Sequence, residues 1–178
     1  MHIRFCLPLL ALGLAACGGE AEEPKSDEEV IAEMNELAKP EPGLYRTTSE
    51  MVSMNIPGMP PEQAKMIEQQ RNSGPETSER CLTEEEASKG FEDMVRGMGE
   101  ADETAKCDFT KFDVDGSDLD AKMTCSGPVG SGAEITMAGT VESDKTDLTM
   151  DMKVDAGPLG EMNMQMKVNS ERVGPCPG

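Results

Sequence analysis

The stretch Met162-Asn163-Met164-Gln165-Met166-Lys167-Val168 alternates apolar and polar residues at every position. A period of two places every second side chain on one side of an extended chain, so the stretch predicts a half-buried β-strand. The same alternation occurs over residues 119–125, 135–141 and 148–154, and an extended segment over residues 107–114 precedes them. Consecutive strands with one apolar and one polar face are typical of an antiparallel meander.

The turns between these strands predict how the strands pair. A loop over residues 143–146 predicts three apolar pairs: Val141 with Leu148, Met137 with Met152, and Ile135 with Val154. A loop around Gly157 predicts two more: Val154 with Met162, and Leu148 with Val168. Apolar residues then meet apolar residues across both strand pairs, which favours these registers.

Residues 26–39 are predicted to form an amphipathic helix. Ser26 with Glu29 three positions later is a capping-box pattern, which is typical of a helix start. The apolar residues that follow share one face at helical spacing, and Pro40 and Pro42 end the helix. We expect the apolar face to pack on the domain rather than to bind a partner.

The segment between this helix and the meander alternates strands and helices. It contains predicted strands over residues 43–54 and 77–82 and predicted helices over residues 61–71 and 83–99, the last ending at Gly97 or Gly99. Together these elements predict a β-rich α+β fold. A curved antiparallel meander sheet of about five to seven strands, covered by two or three short helices, would form a single domain over residues 42–178.

Residues 1–16 have the pattern of a signal peptide. Arg4 precedes an apolar run over residues 5–14, which as a helix covers only about 15 Å, half of a bilayer core, so the run predicts no membrane-spanning helix. The next residues, Leu14-Ala15-Ala16-Cys17, resemble the bacterial lipobox. This resemblance implies cleavage before Cys17, acylation of Cys17 and, because Gly18 follows, sorting to the outer membrane. A plain secreted protein with a chance cysteine is the alternative, and residues 17–25 are the expected acylated cysteine and acidic tether.

The charge and composition exclude several classes of function. The chain has 35 acidic and 16 basic residues and a net charge of −19, which disfavours nucleic acid and anionic lipid surfaces as partners. Its one histidine, His2, lies in the predicted signal peptide, so the mature chain would lack an imidazole for catalysis or metal binding. We therefore expect a protein that is not an enzyme, with no cofactor and no metal site.

Four cysteines remain once Cys6 is cleaved and Cys17 is acylated: Cys81, Cys107, Cys125 and Cys176. An even number in an oxidising compartment indicates two disulfides, for which three pairings exist. Cys107 and Cys125 lie nine residues either side of Gly116, so a hairpin centred there would place them opposite each other. This geometry favours Cys107–Cys125 and leaves Cys81–Cys176. A metal-binding cysteine cluster is disfavoured, since no C-x-x-C occurs.

The acidic run over residues 113–120 also invites comparison with a calcium-binding loop. An EF-hand loop that starts at Asp113 needs glycine at position 118 and glutamate at position 124, but the chain has Asp118 and Thr124 there. We therefore interpret the run as a solvated hairpin tip.

Four short motifs occur in a recognisable order: Pro42-Gly43-Leu44-Tyr45, Pro57-Gly58-Met59-Pro60, Cys81-Leu82-Thr83 and Gly174-Pro175-Cys176. With the remaining cysteines they resemble the bacterial envelope family known as domain of unknown function 3617, from Pro42 to Cys176. Tyr45 stands where that family usually has tryptophan. The resemblance implies an envelope location, a cysteine pattern and a fold, and it carries no catalytic residues.

Three functions are compatible with these features. The first is a non-enzymatic lipoprotein of the periplasmic face of the outer membrane of a Gram-negative bacterium, acting as a structural module or binding an envelope protein. The second is a carrier that holds an apolar small molecule or lipid in a methionine-lined sheet cavity. The third is Cu(I) or Ag(I) binding by thioethers.

Seven methionines bear on the second and third functions: Met123, Met137, Met150, Met152, Met162, Met164 and Met166. All occupy period-two positions that they share with isoleucine, leucine and valine. We therefore expect them to be packing residues in a chain with few aromatic side chains, rather than metal ligands.

The lipobox resemblance predicts that Cys17 carries the membrane anchor. Replacement by alanine (Cys17→Ala) should abolish incorporation of a palmitate analogue and move the protein from the membrane fraction to the soluble periplasm. Fractionation and labelling of cells that express either form measure both effects. Equal solubility of the two forms, with neither labelled, would contradict the anchor.

Overall fold

The computed structural model describes residues 24–92, 95, 106–127 and 132–177, apart from the side chain of Gln70. Within these residues the chain is a β-rich α+β fold with the following elements in chain order: α1 Asp27–Met34, β1 Gly43–Asn55, α2 Pro61–Asn72, β2 Glu76–Leu82, α3 Glu84–Lys89, β3 Lys106–Asp115, β4 Asp118–Ser126, β5 Ala133–Val141, β6 Lys145–Asp155 and β7 Glu161–Gly174. The strands form one antiparallel sheet in the order β2-β1-β7-β6-β5-β4-β3. The predicted meander from β3 to β7 is therefore confirmed, and β1 and β2 extend it.

Helix α1 begins as predicted and ends earlier. The Ser26 side chain accepts a hydrogen bond from the Glu29 N–H, and the Glu29 carboxylate accepts one from the Ser26 N–H, which is a complete capping box. The helix ends at Met34, not at residue 39, because Asn35 caps it and the next N–H groups bond in tighter turns, such as Leu37 to the Met34 carbonyl at 3.2 Å. Leu37 is nevertheless buried, so the apolar face continues past the helix.

Helix α3 is also shorter than the predicted helix over residues 83–99. Thr83 caps its start with a second capping box to Glu86, as the sequence predicts. Gly90 ends it with a φ of +61°, a left-handed conformation that an α-helix cannot continue through. Val95, further along, is buried in the core. The predicted ends at Gly97 and Gly99 lie outside the described residues.

The buried core lies at one end of the sheet. Val30 from α1, Val95 and Phe112 from β3 are almost completely buried. The rings of Phe109 and Phe112 pack edge to face with their centroids 5.5 Å apart, a favourable arrangement of two aromatic rings. Buried residues from β4 and the end of β5 complete the cluster. The packing of α1 therefore covers the β3–β5 half of the apolar face, as expected for the amphipathic helix.

One of the two predicted registers is confirmed and the other is wrong. Strands β6 and β7 pair Val154 with Met162 and Leu148 with Val168, as predicted. Strands β5 and β6 are displaced by two residues from the prediction: Ile135 pairs with Met152, Met137 with Met150, and Gly139 with Leu148. The cause is a tighter turn, in which the Glu142 N–H donates to the Lys145 carbonyl at 2.7 Å, so strand pairing resumes two residues earlier.

The two disulfides form with the predicted pairing. Cys107 bonds to Cys125 with 4.0 Å between Cα atoms, and Cys81 bonds to Cys176 with 5.4 Å between Cα atoms. The β3–β4 hairpin turns between Asp115 and Asp118, so uninterrupted pairing would place Cys107 opposite Ser126. A bulge between Phe109 and Lys111 adds one residue to β3 and brings Cys107 opposite Cys125.

Gly139 allows β5 and β6 to approach closely. A Cβ atom at this position would lie 1.9 Å from the Asp147 carbonyl oxygen, which is a backbone atom that cannot move aside. The corrected register explains this contact, since Gly139 faces Leu148 across the strand pair.

Replacement of Gly139 by alanine should therefore lower the free energy of unfolding by about 1–3 kcal/mol, the usual cost of overpacking. The matched control is Gly174→Ala, where a Cβ would meet no atom within 4 Å, and we expect a change within about 0.5 kcal/mol. Urea unfolding of the disulfide-bonded proteins measures both. Equal unfolding midpoints for the two variants would contradict the β5–β6 register.

Candidate functional site

Methionines are concentrated in one half of the apolar face of the sheet. In the β3–β5 half, the positions on this face are mostly aromatic, aliphatic, alanine or cysteine, with Met123 and Met137 as the methionines. In the β6, β7 and β1 half, methionine is the commonest residue on the same face. We name the following eight residues the methionine grid: Met51, Met54, Met137, Met150, Met152, Met162, Met164 and Met166.

The cross-strand register arranges seven of the eight residues in two rows, and the eighth, Met162, lies opposite Val154. The first row runs across four strands as Met51, Met166, Met150 and Met137, and the second runs across three strands as Met54, Met164 and Met152. Directly opposed residues in an antiparallel sheet have Cβ atoms about 5 Å apart. Neighbouring side chains in each row are therefore within contact distance of one another.

A bulge in β1 brings both of its methionines into the grid. Met51 pairs with Met166 and Met54 with Met164, so β1 uses three residue steps where β7 uses two. The extra residue lies between Met51 and Ser53. Without it, Met54 would point to the opposite face, because successive strand residues alternate between faces. Alternation in the sequence does not predict that Met51 and Met54 share a face, since a spacing of three does not fit a period of two.

Burial separates the grid from the core. Met123 is 6% exposed and belongs to the buried core, and Met137 packs against that core. Both therefore confirm the packing role predicted for them. The other grid residues are half-buried and lie outside the buried cluster of the described residues. For these, packing as their main role stays a prediction.

Two surface clefts border the grid where α2 lies beside β1. One, of about 300 Å³, is lined by Met54, Met59, Ile67 and Arg71 among other residues. The other, of about 350 Å³, is lined by Met51, Met166, Arg71 and Glu76 among others. Helix α2 is exposed along most of its length, and Ile67 is a half-buried side chain on it. Methionine side chains therefore contribute to both clefts, and the methionine-lined sheet cavity for a ligand stays a prediction.

The opposite face of the sheet is polar and carries ion pairs. Glu134 lies between Lys122 and Lys153, with N–O distances of 2.8 and 3.3 Å. Hydrogen bonds from Lys122 and then Lys153 hold the pKa of Glu134 below its usual value. Asp147 accepts hydrogen bonds from Lys145 and Asn169, which lower its pKa in the same way. These carboxylates stay ionised near neutral pH, so they suit a solvated surface rather than proton transfer.

The motifs that resemble the envelope family hold the fold together. The Tyr45 hydroxyl lies 2.9 Å from the carbonyl oxygens of Glu41 and Ser143, which ties the start of β1 to the β5–β6 turn. The Gly58 N–H donates to the Leu159 carbonyl at 2.8 Å, and a Cβ on Gly58 would lie 2.7 Å from the Leu159 Cα. Cys81 and Cys176 are joined by a disulfide as well, so these motif residues contribute to packing and to closure of the sheet.

The remaining predicted features are placed as follows. Cys17 lies outside the described residues, so its acylation stays a prediction. Lys25, expected in the tether, is already attached to the domain, since its N–H donates to the Phe109 carbonyl at 2.8 Å and its ammonium pairs with Glu33. The acidic run over residues 113–120 forms the β3–β4 hairpin tip. Among the described residues, no group of three or more His, Cys, Asp or Glu could hold a metal ion, and no helix is long and apolar enough to cross a membrane.

The different exposure of the methionines predicts an order of oxidation. Dilute hydrogen peroxide should convert Met66, which is 69% exposed, to its sulfoxide first, the grid residues more slowly and Met123 last, because the oxidant must reach the sulfur. Peptide mapping by mass spectrometry over a time course measures the order. Oxidation of Met123 as fast as Met66 would contradict the placement of the core.

Comparison with known proteins supports the resemblance noted in the sequence. No curated protein and no solved structure matches the chain significantly. The family described as "Protein of unknown function (DUF3617)" matches residues 40–176, which is most of the chain and includes all four disulfide-bonded cysteines. This protein therefore belongs to the DUF3617 family.

Proposed function

We propose that this protein is a non-enzymatic lipoprotein, anchored through Cys17 to the periplasmic face of the outer membrane of a Gram-negative bacterium, that binds an apolar ligand beside its methionine grid. The observation that carries the proposal is the concentration of half-buried methionines in one half of the apolar face.

Packing alone does not account for this concentration. Both halves of the face need apolar side chains, and the β3–β5 half fills that need with residues such as Phe109, Phe112 and Ile135. Branched and aromatic residues suit strands better than methionine does. Methionine differs from them in its flexible, polarisable side chain, which adapts to ligands of varied shape. A surface that must adapt to a ligand explains why the β6, β7 and β1 half carries methionine instead of branched and aromatic residues.

The clefts beside α2 give a ligand access to the grid. Their volumes of about 300 and 350 Å³ fall within the range of small-molecule sites. Both are lined partly by methionine and both include Arg71, with Glu68 at one cleft and Glu76 at the other. Both clefts thus combine apolar and charged side chains, a mixture that suits an amphipathic ligand such as an acyl chain whose head group remains in water. The tether predicted from Cys17 would hold the domain close to a supply of such chains.

A pair of adjacent residues on α2 provides a test with a matched control. Ile67 lines the first cleft, whereas its neighbour Met66 points into solvent. Protein purified from envelopes in mild detergent should retain a lipid-like adduct in native mass spectrometry. Ile67→Asp should lose most of this adduct, because a carboxylate in the cleft opposes an apolar ligand, while Met66→Asp should keep it.

Two results would count against the proposal. Wild-type protein without any adduct would support a purely structural role, as would equal adduct on both aspartate variants. Since α2 contributes no residue to the buried core cluster, both variants should fold, and their intact disulfides and unfolding midpoints check this.

A further inference from the structure

We propose that four methionines at the centre of the grid form a binding site for a soft monovalent cation, Cu(I) or Ag(I). The four are Met150 and Met152 on β6 and Met164 and Met166 on β7, and we name them the methionine square. This site adjoins the second cleft of the proposed function, which Met166 also lines. It goes beyond that function and beyond the packing role predicted for these four residues.

The square follows directly from the β6–β7 register. Met150 pairs with Met166 and Met152 with Met164, so the Cβ atoms of each pair lie about 5 Å apart. Residues two apart on one strand lie about 7 Å apart on the same face. The centre of the square is therefore about 4 Å from each Cβ. A methionine sulfur extends two bonds beyond its Cβ, so four sulfurs can reach one ion at the centre.

Three neighbours of the square on the adjoining strands are also methionines. Met51 and Met54 adjoin it on β1, and Met137 adjoins it on β5. Their Cβ atoms lie about 8 Å from the centre by the same spacings, about twice as far as those of the four, so they surround the square rather than replace its ligands. The bulge in β1 matters here, because it is what brings Met54 as well as Met51 to this face.

The chemistry of the square selects the kind of ion. Thioethers are soft, neutral ligands that suit Cu(I), whereas Mg²⁺, Ca²⁺ and Mn²⁺ require oxygen ligands. On the same face, the square is flanked along the two strands by Leu148, Val154, Met162 and Val168. None of these residues offers a carboxylate or an imidazole. Four neutral ligands stabilise a single positive charge better than a double one. The net charge of −19 adds a long-range attraction for cations.

The ion can reach the square without unfolding of the protein. All four methionines are half-buried rather than fully buried. Met166 also lines the second cleft together with Met51. The binding step is a simple coordination, in which no bond breaks and no electron is transferred.

The test is a titration of the disulfide-bonded protein with Ag(I), which needs no reductant, and with Cu(I) under anaerobic conditions against a competing chelator. We expect one ion per chain in native mass spectrometry and shifted methyl resonances for the four methionines in protein labelled at the methionine methyl carbon. A thiol assay before titration confirms that Cys81, Cys107, Cys125 and Cys176 carry no free sulfur.

Leucine replaces methionine at nearly constant volume, which gives two independent variants and a control. Met150→Leu with Met166→Leu, and separately Met152→Leu with Met164→Leu, should each weaken binding by about 100-fold, since the loss of two ligands should cost at least as much as the loss of an outer-shell partner. The control, Met59→Leu with Met66→Leu, removes two thioethers outside the square and should bind as wild type does.

The outcomes separate this proposal from the proposed function. Ile67→Asp should lose the lipid-like adduct and still bind Ag(I). Met152→Leu with Met164→Leu, which changes no residue that lines either cleft, should keep the adduct. The proposal is overturned if wild-type protein binds no ion in the micromolar range, or if both double variants bind as tightly as the control. Should one double variant fail to fold, the other alone decides between these results.

Discussion

The cross-strand register is the constraint on which the rest of the structure depends, because each strand offers every second residue to the apolar face. A slip of one residue in any strand would exchange its two faces. At two points a β-bulge adds one residue to a strand, which changes the face on which the residues beyond it lie. The bulge beside Phe109 brings Cys107 opposite Cys125, and the bulge beside Met51 brings Met54 to the methionine-rich face. Both the covalent closure of the hairpin and the composition of the grid thus depend on a single extra residue in a strand.

The two halves of the sheet differ in how tightly their apolar faces are packed. The aromatic and branched residues gather under α1 at the β3–β5 half, where Phe112 and Val30 are fully buried. The other half has methionines in partial contact with solvent and relies on connections at its margins. One such connection is the Cys81–Cys176 disulfide, which joins the end of β2 to the segment after β7. A tightly packed core beside an adaptable surface fits the proposed binding of a ligand at that surface.

The strands and the disulfides could be predicted from the sequence, because alternation and cysteine spacing are local signals. The β5–β6 register could not, since a shift of two residues leaves every side chain on the same face and only the turn distinguishes the alternatives. The early end of α1 depended on Asn35, whose capping competes with a helical pattern that continues to Leu37. For the site, the Met150 to Met166 pairing was implied by the confirmed β6–β7 register. The contribution of Met54 was hidden by a bulge that leaves no signature in composition.

The attachment of Lys25 has a mechanical consequence. Its backbone bonds to Phe109 on β3 and its ammonium pairs with Glu33 on α1, so the N-terminal segment joins the domain at its most densely packed edge. Tension that arrives along that segment is transmitted first to β3 and the core. Strands β6, β7 and β1 lie three or more strands away in the sheet. If the domain is anchored through Cys17 as proposed, force along the N-terminal segment would therefore act first on the buried core, and the methionine-rich strands would be deformed least.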